Sequence, residues 1–209
     1  MWGKLCWKSD TRRLLVENTL AWIIAAIVLL VAGIGWKLRG ISKGRPAPAA
    51  LQTGQPLPEF TAEDEQGNQV QSSQLIGTPV VLLFVRGTWC PFCTRQVENL
   101  TKQYKEISES GARLILLTPQ PLETTRRVAD FFKVDFEFWL DESLHVTKQL
   151  GLLLPAGVPD DYRKEYGEDT IWPASLVIDA KGIIRYSGIS KFIVDRPNPE
   201  KLLSVVKSL

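Results

Sequence analysis

Residues 80–93 read VVLLFVRGTWCPFC. The unbroken apolar run Val80–Val85 does not fit a strand with one wet face, and it predicts a strand buried on both faces. Cys90 and Cys93 follow, with Pro91 just after the first of them. Proline suits the first turn of a helix, where its missing N–H has no partner to lose. From Pro91 to about Ser108, Val97, Leu100, Tyr104 and Ile107 recur at helical spacing. Gly111 then closes the helix. Cys90 therefore falls where a buried strand ends and a helix begins. Unpaired N–H groups and the positive end of the helix dipole favour an anion there. A thiolate is the reactive form of cysteine, so the position predicts a lowered pKa and a nucleophile at Cys90. Cys93, one turn on, would resolve the mixed disulfide. Arg86 brings a further positive charge towards the sulfur, and Trp89 stands beside it.

Outward from this stretch the chain alternates strands and helices. Arg113–Leu117 reads as a second buried strand, Leu122–Lys133 as a helix and Phe136–Leu140 as a short strand. Ser143–Leu150 forms a short helix stopped by Gly151. Leu176–Ile178 and Ile183–Tyr186 flank Asp179-Ala180-Lys181-Gly182, a hairpin turn signal. Pro199–Ser208 is a closing amphipathic helix. The first half is βαβ, which implies parallel strands and a right-handed crossover. The second half ends in an antiparallel pair. The expected fold is α/β, a mixed central sheet with helices on both faces. Leu154–Asp169, with Pro155, Gly157 and Pro159, reads as an inserted loop.

The N-terminal part differs in kind. No charge occurs from Asn18 to Trp36, and as a helix this run would span roughly 28 Å, near the hydrocarbon thickness of a bilayer. Trp22 and Trp36 lie near its ends, as in aromatic belts. The expected organisation is a basic tail over 1–19, a single transmembrane anchor over 20–36, a linker over 37–50 and a folded domain over 51–209. Ala47-Pro48-Ala49 resembles a cleavage site, but it lies too far beyond the apolar run for a signal peptide. The net charge of +2 is unevenly placed. Lys37, Arg39, Lys43 and Arg45 stand together without an acid, and the folded domain is left mildly acidic. That excludes nucleic acid as a partner, because phosphate binding needs a basic face on the domain.

The three cysteines are Cys6, Cys90 and Cys93. Three are too few for a disulfide framework, and Cys6 lies before the apolar segment. A structural zinc needs about four ligands, and the domain offers only His145 beyond the pair, so no metal and no cofactor are expected. A purely structural disulfide over so short a loop contributes little. Soft thiolates would suit Cu(I), which leaves a copper-binding module as a further alternative.

From Gly54 to Leu209 the sequence resembles the alkyl hydroperoxide reductase/thiol-specific antioxidant family of the thioredoxin-like superfamily. It is similar to both peroxiredoxin-like and membrane-tethered TlpA-like members. The resemblance rests on Gly54-Gln55-Pro56-Leu57-Pro58-Glu59-Phe60, on Arg86-Gly87-Thr88-Trp89-Cys90-Pro91-Phe92-Cys93, and on Trp172-Pro173-Ala174-Ser175-Leu176-Val177-Ile178-Asp179. It implies a thioredoxin-like fold, with Trp172 and Pro173 supporting substrate binding. It further implies that Pro173 is cis, faces the cysteine pair and offers its backbone to a substrate's extended chain. It implies disulfide exchange with protein thiols, an upstream electron donor, and a domain held in the bacterial periplasm by a single-pass anchor. The alternative it carries is reduction of hydroperoxides at Cys90. Some family positions differ. Gly87 and Leu83 stand where peroxiredoxins have a Thr and a Pro, and Pro173 stands where their peroxide-polarising Arg occurs. Phe84 replaces the buried carboxylate of thioredoxin, so Cys93 must lose its proton by another route. That route is another group or water, and Glu98, Asp141 and Glu142 are the carboxylates available for it; His145, the only histidine, is read as structural or exposed, with a catalytic role as the alternative.

Overall fold

The structure is a computed structural model that describes residues 21–37, 45–121, 136–192, 194–196 and 198–209. The chain divides into two units, Met1–Lys43 and Gly44–Leu209.

In the first unit a helix, α1, covers 21–37. Its apolar side chains, Trp22, Leu29 and Trp36 among them, are exposed. Among the described residues no helix is long and apolar enough to cross a membrane. The expected transmembrane anchor over 20–36 is corrected accordingly, and with it the single-pass periplasmic placement. Cys6 and the expected helix Leu122–Lys133 lie outside the described residues.

The second unit is built on a seven-stranded sheet, ordered β2-β1-β5-β4-β3-β8-β9. The strands are β1 Thr61–Asp64, β2 Gln69–Gln71, β3 Val80–Phe84, β4 Arg113–Thr118, β5 Glu137–Leu140, β8 Ala174–Ile178 and β9 Ile184–Ile189. Two further short strands, β6 Leu153–Leu154 and β7 Thr170–Ile171, pair with each other outside this sheet. β3 lies at the centre, parallel to β4 and antiparallel to β8.

All five residues of β3 are buried because each face of the strand meets its own core. Val80, Leu82 and Phe84 join Leu51, Phe60, Trp139 and Ile184 on one side. Val81 and Leu83 join Cys90, Cys93, Leu100 and Leu202 on the other. The second core is covered by α2, Pro91–Glu109, and by the C-terminal helix, Pro199–Val206. Asn198 caps that last helix, its Oδ1 accepting from the Glu200 N–H at 3.0 Å. The turn between β8 and β9 is organised by Asp179, whose Oδ1 accepts from the N–H groups of Lys181 and Ile183 at 2.8 and 2.9 Å.

Two features lay outside the sequence reading. The β1–β2 hairpin at the sheet edge buries only Ala62 among its strand residues, so it is too polar to signal strands. The segment between β6 and β7 is also more than a plain loop. Paired at its base, it holds a 3-10 turn, Asp160–Tyr162, and the helical turn Arg163–Tyr166.

Candidate active site

β3 ends at Phe84, and the chain turns through residues 85–89 into α2. Gly87 makes the turn possible, with φ +130°. A Cβ there would lie 2.2 Å from Cδ of Gln120, so no other residue fits without displacing that side chain. Cys90 takes the N-cap position of α2 with extended backbone, and Pro91 occupies the first turn. The carbonyl of Cys90 accepts from the Cys93 and Thr94 N–H groups at 2.9 and 3.1 Å, which starts the helix. Both cysteines are free thiols, and both are buried, Cys90 at 1% and Cys93 at 2% exposure.

The two thiols differ electrically. Cys90 is lowered to about 6: a hydrogen bond from the Cys93 thiol contributes most, burial opposes it, and the Cys93 N–H, Arg86 and Arg196 add to the lowering. Cys93 is pushed well above the usual thiol range by its hydrogen bond with Cys90 and by burial. A thiolate beside a protonated thiol is the state these environments favour.

Arg86 is buried at 2% exposure. Its Nη2 donates a short hydrogen bond to the Gly157 carbonyl, in the segment between β6 and β7. The guanidinium also lies 4.4 Å from the centre of the Trp89 ring. Trp89 in turn stacks on Tyr162 with centroids 6.1 Å apart. The inserted segment thus reaches the cysteine loop through one carbonyl and one ring.

Arg196 approaches from the loop after β9. Its Nη2 is 3.2 Å from Sγ of Cys93 and 3.8 Å from Sγ of Cys90. Asp195 shapes this loop, its carboxylate accepting from the N–H groups of Lys191 and Phe192 at 2.8 and 2.7 Å. The Asp195 carbonyl accepts from Ser190 Oγ and from Nη1 of Arg196. The Ser190 N–H donates to the Pro173 carbonyl at 2.9 Å, which ties the loop to the start of β8.

Of the residues singled out from sequence, Arg86, Trp89, Cys90, Pro91 and Cys93 come together. Trp172 does not join them. Its ring packs against the opposite core and lies 3.7 Å from the Arg45 guanidinium. The Trp172–Pro173 peptide is trans, because there is no cis bond among the described residues, which corrects the expected cis proline. Asp141 is buried but accepts from the Val146 and Thr147 N–H groups and from Thr147 Oγ1, so it caps a short helix, His145–Gln149. Glu98, Glu142 and His145 are exposed. Arg196 and Gln120 were missed, and no local pattern marks either.

A mixed sheet with a dithiol at the start of the helix after its central strand defines a thioredoxin-like protein. The AhpC/TSA family profile matches residues 53–187, and the chain belongs to that family. It is 29% identical over 152 residues to "Peroxiredoxin Q, chloroplastic" of Triticum aestivum, covering 72% of this chain and 63% of that protein. It is 30% identical over 102 residues to "Thiol-disulfide oxidoreductase ResA" of Halalkalibacterium halodurans, covering 48% of this chain and 57% of that one. The chain thus spans less than two thirds of both relatives. Among solved structures, peroxidoxin BcpB of Mycobacterium tuberculosis matches with TM-score 0.62 at 21% identity, over 76% of this chain and 98% of that one, a likeness of fold. At the general level this is an oxidoreductase of thiol chemistry.

Proposed function

We propose that Cys90 and Cys93 form a redox pair that exchanges disulfides with protein partners. The observation that carries the reading is the split between the two thiols, one lowered to about 6 and the other held well above the usual range. The Cys90 thiolate attacks a partner disulfide. The partner's S–S bond breaks, its departing sulfur takes the electron pair and a proton, and a mixed disulfide remains. Cys93 then loses its proton and attacks the Cys90 sulfur. The second partner sulfur leaves as a thiolate, and the partner has gained two electrons while the Cys90–Cys93 pair has become a disulfide. The steps run equally in reverse. Return to the dithiol requires an upstream electron donor.

Arg196 favours a second reading, reduction of hydroperoxides at Cys90, because it brings a guanidinium to the sulfur where peroxiredoxins have an arginine at the position of Pro173. The test uses the reduced full chain and its tryptophan fluorescence, mixed rapidly either with a disulfide peptide or with hydrogen peroxide. Fast exchange with the peptide, slow oxidation by peroxide and loss of both in Cys90→Ser are expected. Oxidation by peroxide orders of magnitude faster than that of free cysteine would make the protein a peroxidase instead.

A further inference from the structure

Two cations share one anion at the cysteine pair. The buried Arg86 guanidinium reaches the Gly157 carbonyl and the Trp89 ring but pairs with no carboxylate among the described residues. Burial pulls it below the ordinary guanidinium value, Cys90 and Cys93 oppose that shift, and the neighbouring Arg196 adds to it. Arg196 brings the second guanidinium, 3.8 Å from Sγ of Cys90 and 3.2 Å from Sγ of Cys93. The carboxylate of Asp195, next to it in sequence, is occupied by the N–H groups of Lys191 and Phe192. The Cys90 thiolate is thus the negative charge that both guanidinium groups face.

Exchange removes that charge. When Cys90 attacks, its electron pair becomes the new S–S bond and the partner's S–S bond breaks. The departing partner sulfur takes the pair of the broken bond and carries the negative charge away. In the mixed disulfide the Cys90 sulfur is neutral and Cys93 is still protonated. Two guanidinium groups remain, one sealed and one half-buried, without the charge they faced. A cation left uncompensated in such surroundings is costly.

We infer that the partner's own chain replaces the lost charge: the site selects disulfides whose cysteine has an Asp or Glu next to it, and Arg196 is the residue that reads the carboxylate. Arg86, at 2% exposure, is closed to a partner, whereas Arg196 is half-buried and can be met from solvent. The residue beside a cysteine has its Cα about 3.8 Å along the chain. A carboxylate there comes within reach of a guanidinium that stands 3.8 Å from the sulfur being bonded. A Lys at the same place would add a third cation to the two already present. The inference rests on the dithiol reading above and names the class of partner it selects.

The test mixes reduced full chain with peptide disulfides that are identical except for Glu, Gln or Lys beside the cysteine. Each rate is divided by that of the same peptide with a small neutral thiol, which removes the neighbour's effect on the peptide's own sulfur. The Glu peptide is expected to exchange about tenfold faster than the Lys peptide at low salt, the scale of a half-exposed charge pair made in one case and opposed in the other. The preference should shrink as ionic strength rises. Arg196→Gln should bring the ratio towards one, and Arg196→Lys should restore most of it. Any change these variants make to Cys90 itself is common to all the peptides and drops out of the ratio. Equal normalised rates in the wild-type chain, or an undiminished preference in Arg196→Gln, would overturn the inference. So would acetate that raised the Gln peptide to the Glu rate at matched ionic strength, because the anion would then come from solution and not from the partner. Exchange at equal rates sinks this inference alone, whereas no exchange with any peptide sinks the dithiol reading beneath it as well.

Discussion

Two guanidinium groups reach the cysteine pair, and they arrive by different routes. Arg86 stands four residues before Cys90 in the same loop, sealed between the Gly157 carbonyl and the Trp89 ring. Arg196 comes from the far end of the chain on a loop that is only half-buried, and it touches both sulfurs directly. The contrast separates two jobs that one residue type can do. A fully buried cation is bound up with the packing around it, so removing it disturbs structure as well as charge. A half-buried cation held by its own loop can be removed at little structural cost, and what remains is its field at the sulfurs.

The largest effect is therefore expected from Arg86→Gln. The Gly157 carbonyl loses its partner and the Trp89 ring its cation, which should cost about 1–3 kcal/mol of stability. The Cys90 titration should also move up, because Arg86 contributes to its lowering. Both show in the stability of the reduced protein as a function of pH. Between about 6 and the ordinary thiol value of about 8.5, the unfolded chain binds a proton at Cys90 that the folded chain does not. Stability from this group is therefore present above that window and is lost as pH falls through about 6. Cys93 titrates above the window and does not cancel it. Denaturant melts of the reduced protein at stepped pH should show this rise. Arg86→Gln should lower the whole curve and shift the rise to higher pH. A curve lowered without a shift would mean that Arg86 is structural only.

How the two arginines could be anticipated follows the same division. Arg86 is legible because it lies within the contiguous stretch that builds the strand, the turn and the helix start. The continuous burial of β3, the helix after Pro91 and the Asp179–Gly182 turn are all consequences of local pattern, and each stands where the pattern puts it. Arg196 is not legible. Its position depends on the Asp195 turn and on the Ser190–Pro173 hydrogen bond, contacts that no spacing of residues announces. Gln120 escapes for the same reason, since its side chain is held by Thr88 and lies against Gly87, both far from it in sequence. The β1–β2 hairpin failed differently: an edge hairpin with one buried side chain in its strands has no apolar alternation to read. The 20–36 run shows the opposite error: apolar composition alone suggested a membrane span, and among the described residues no helix is long and apolar enough to make one.

Arg196→Gln should have the next effect. Its loop does not depend on the guanidinium for closure, so stability should change by less than about 0.5 kcal/mol, the range of ordinary surface substitutions. The Cys90 titration, read from the pH dependence of alkylation, should still rise. A thiolate less favoured in the dithiol state makes the pair more reducing, by about 30 mV for each tenfold change in the exchange equilibrium. A potential measured against a glutathione buffer should therefore fall. If alkylation and potential both stay at wild-type values, the contacts at 3.8 Å to Cys90 and 3.2 Å to Cys93 carry no electrostatic weight, and Arg86 alone sets the field.

The smallest effect should come from Asp195→Ala, which leaves both arginines in place. The carboxylate closes the Lys191–Asp195 turn, and Arg196 bonds the carbonyl of the same residue, so loosening the turn should spread the guanidinium over more positions. The Cys90 titration should then rise by a fraction of the Arg196→Gln shift. The double variant decides what that fraction means. Groups that act through one another are not additive, so Asp195→Ala added to Arg196→Gln should produce no further shift. An additive result would show that the loop reaches the cysteines through its backbone and not through its arginine. In that case the half-buried cation would resemble Arg86 after all, a part of the packing whose charge and structure cannot be taken apart.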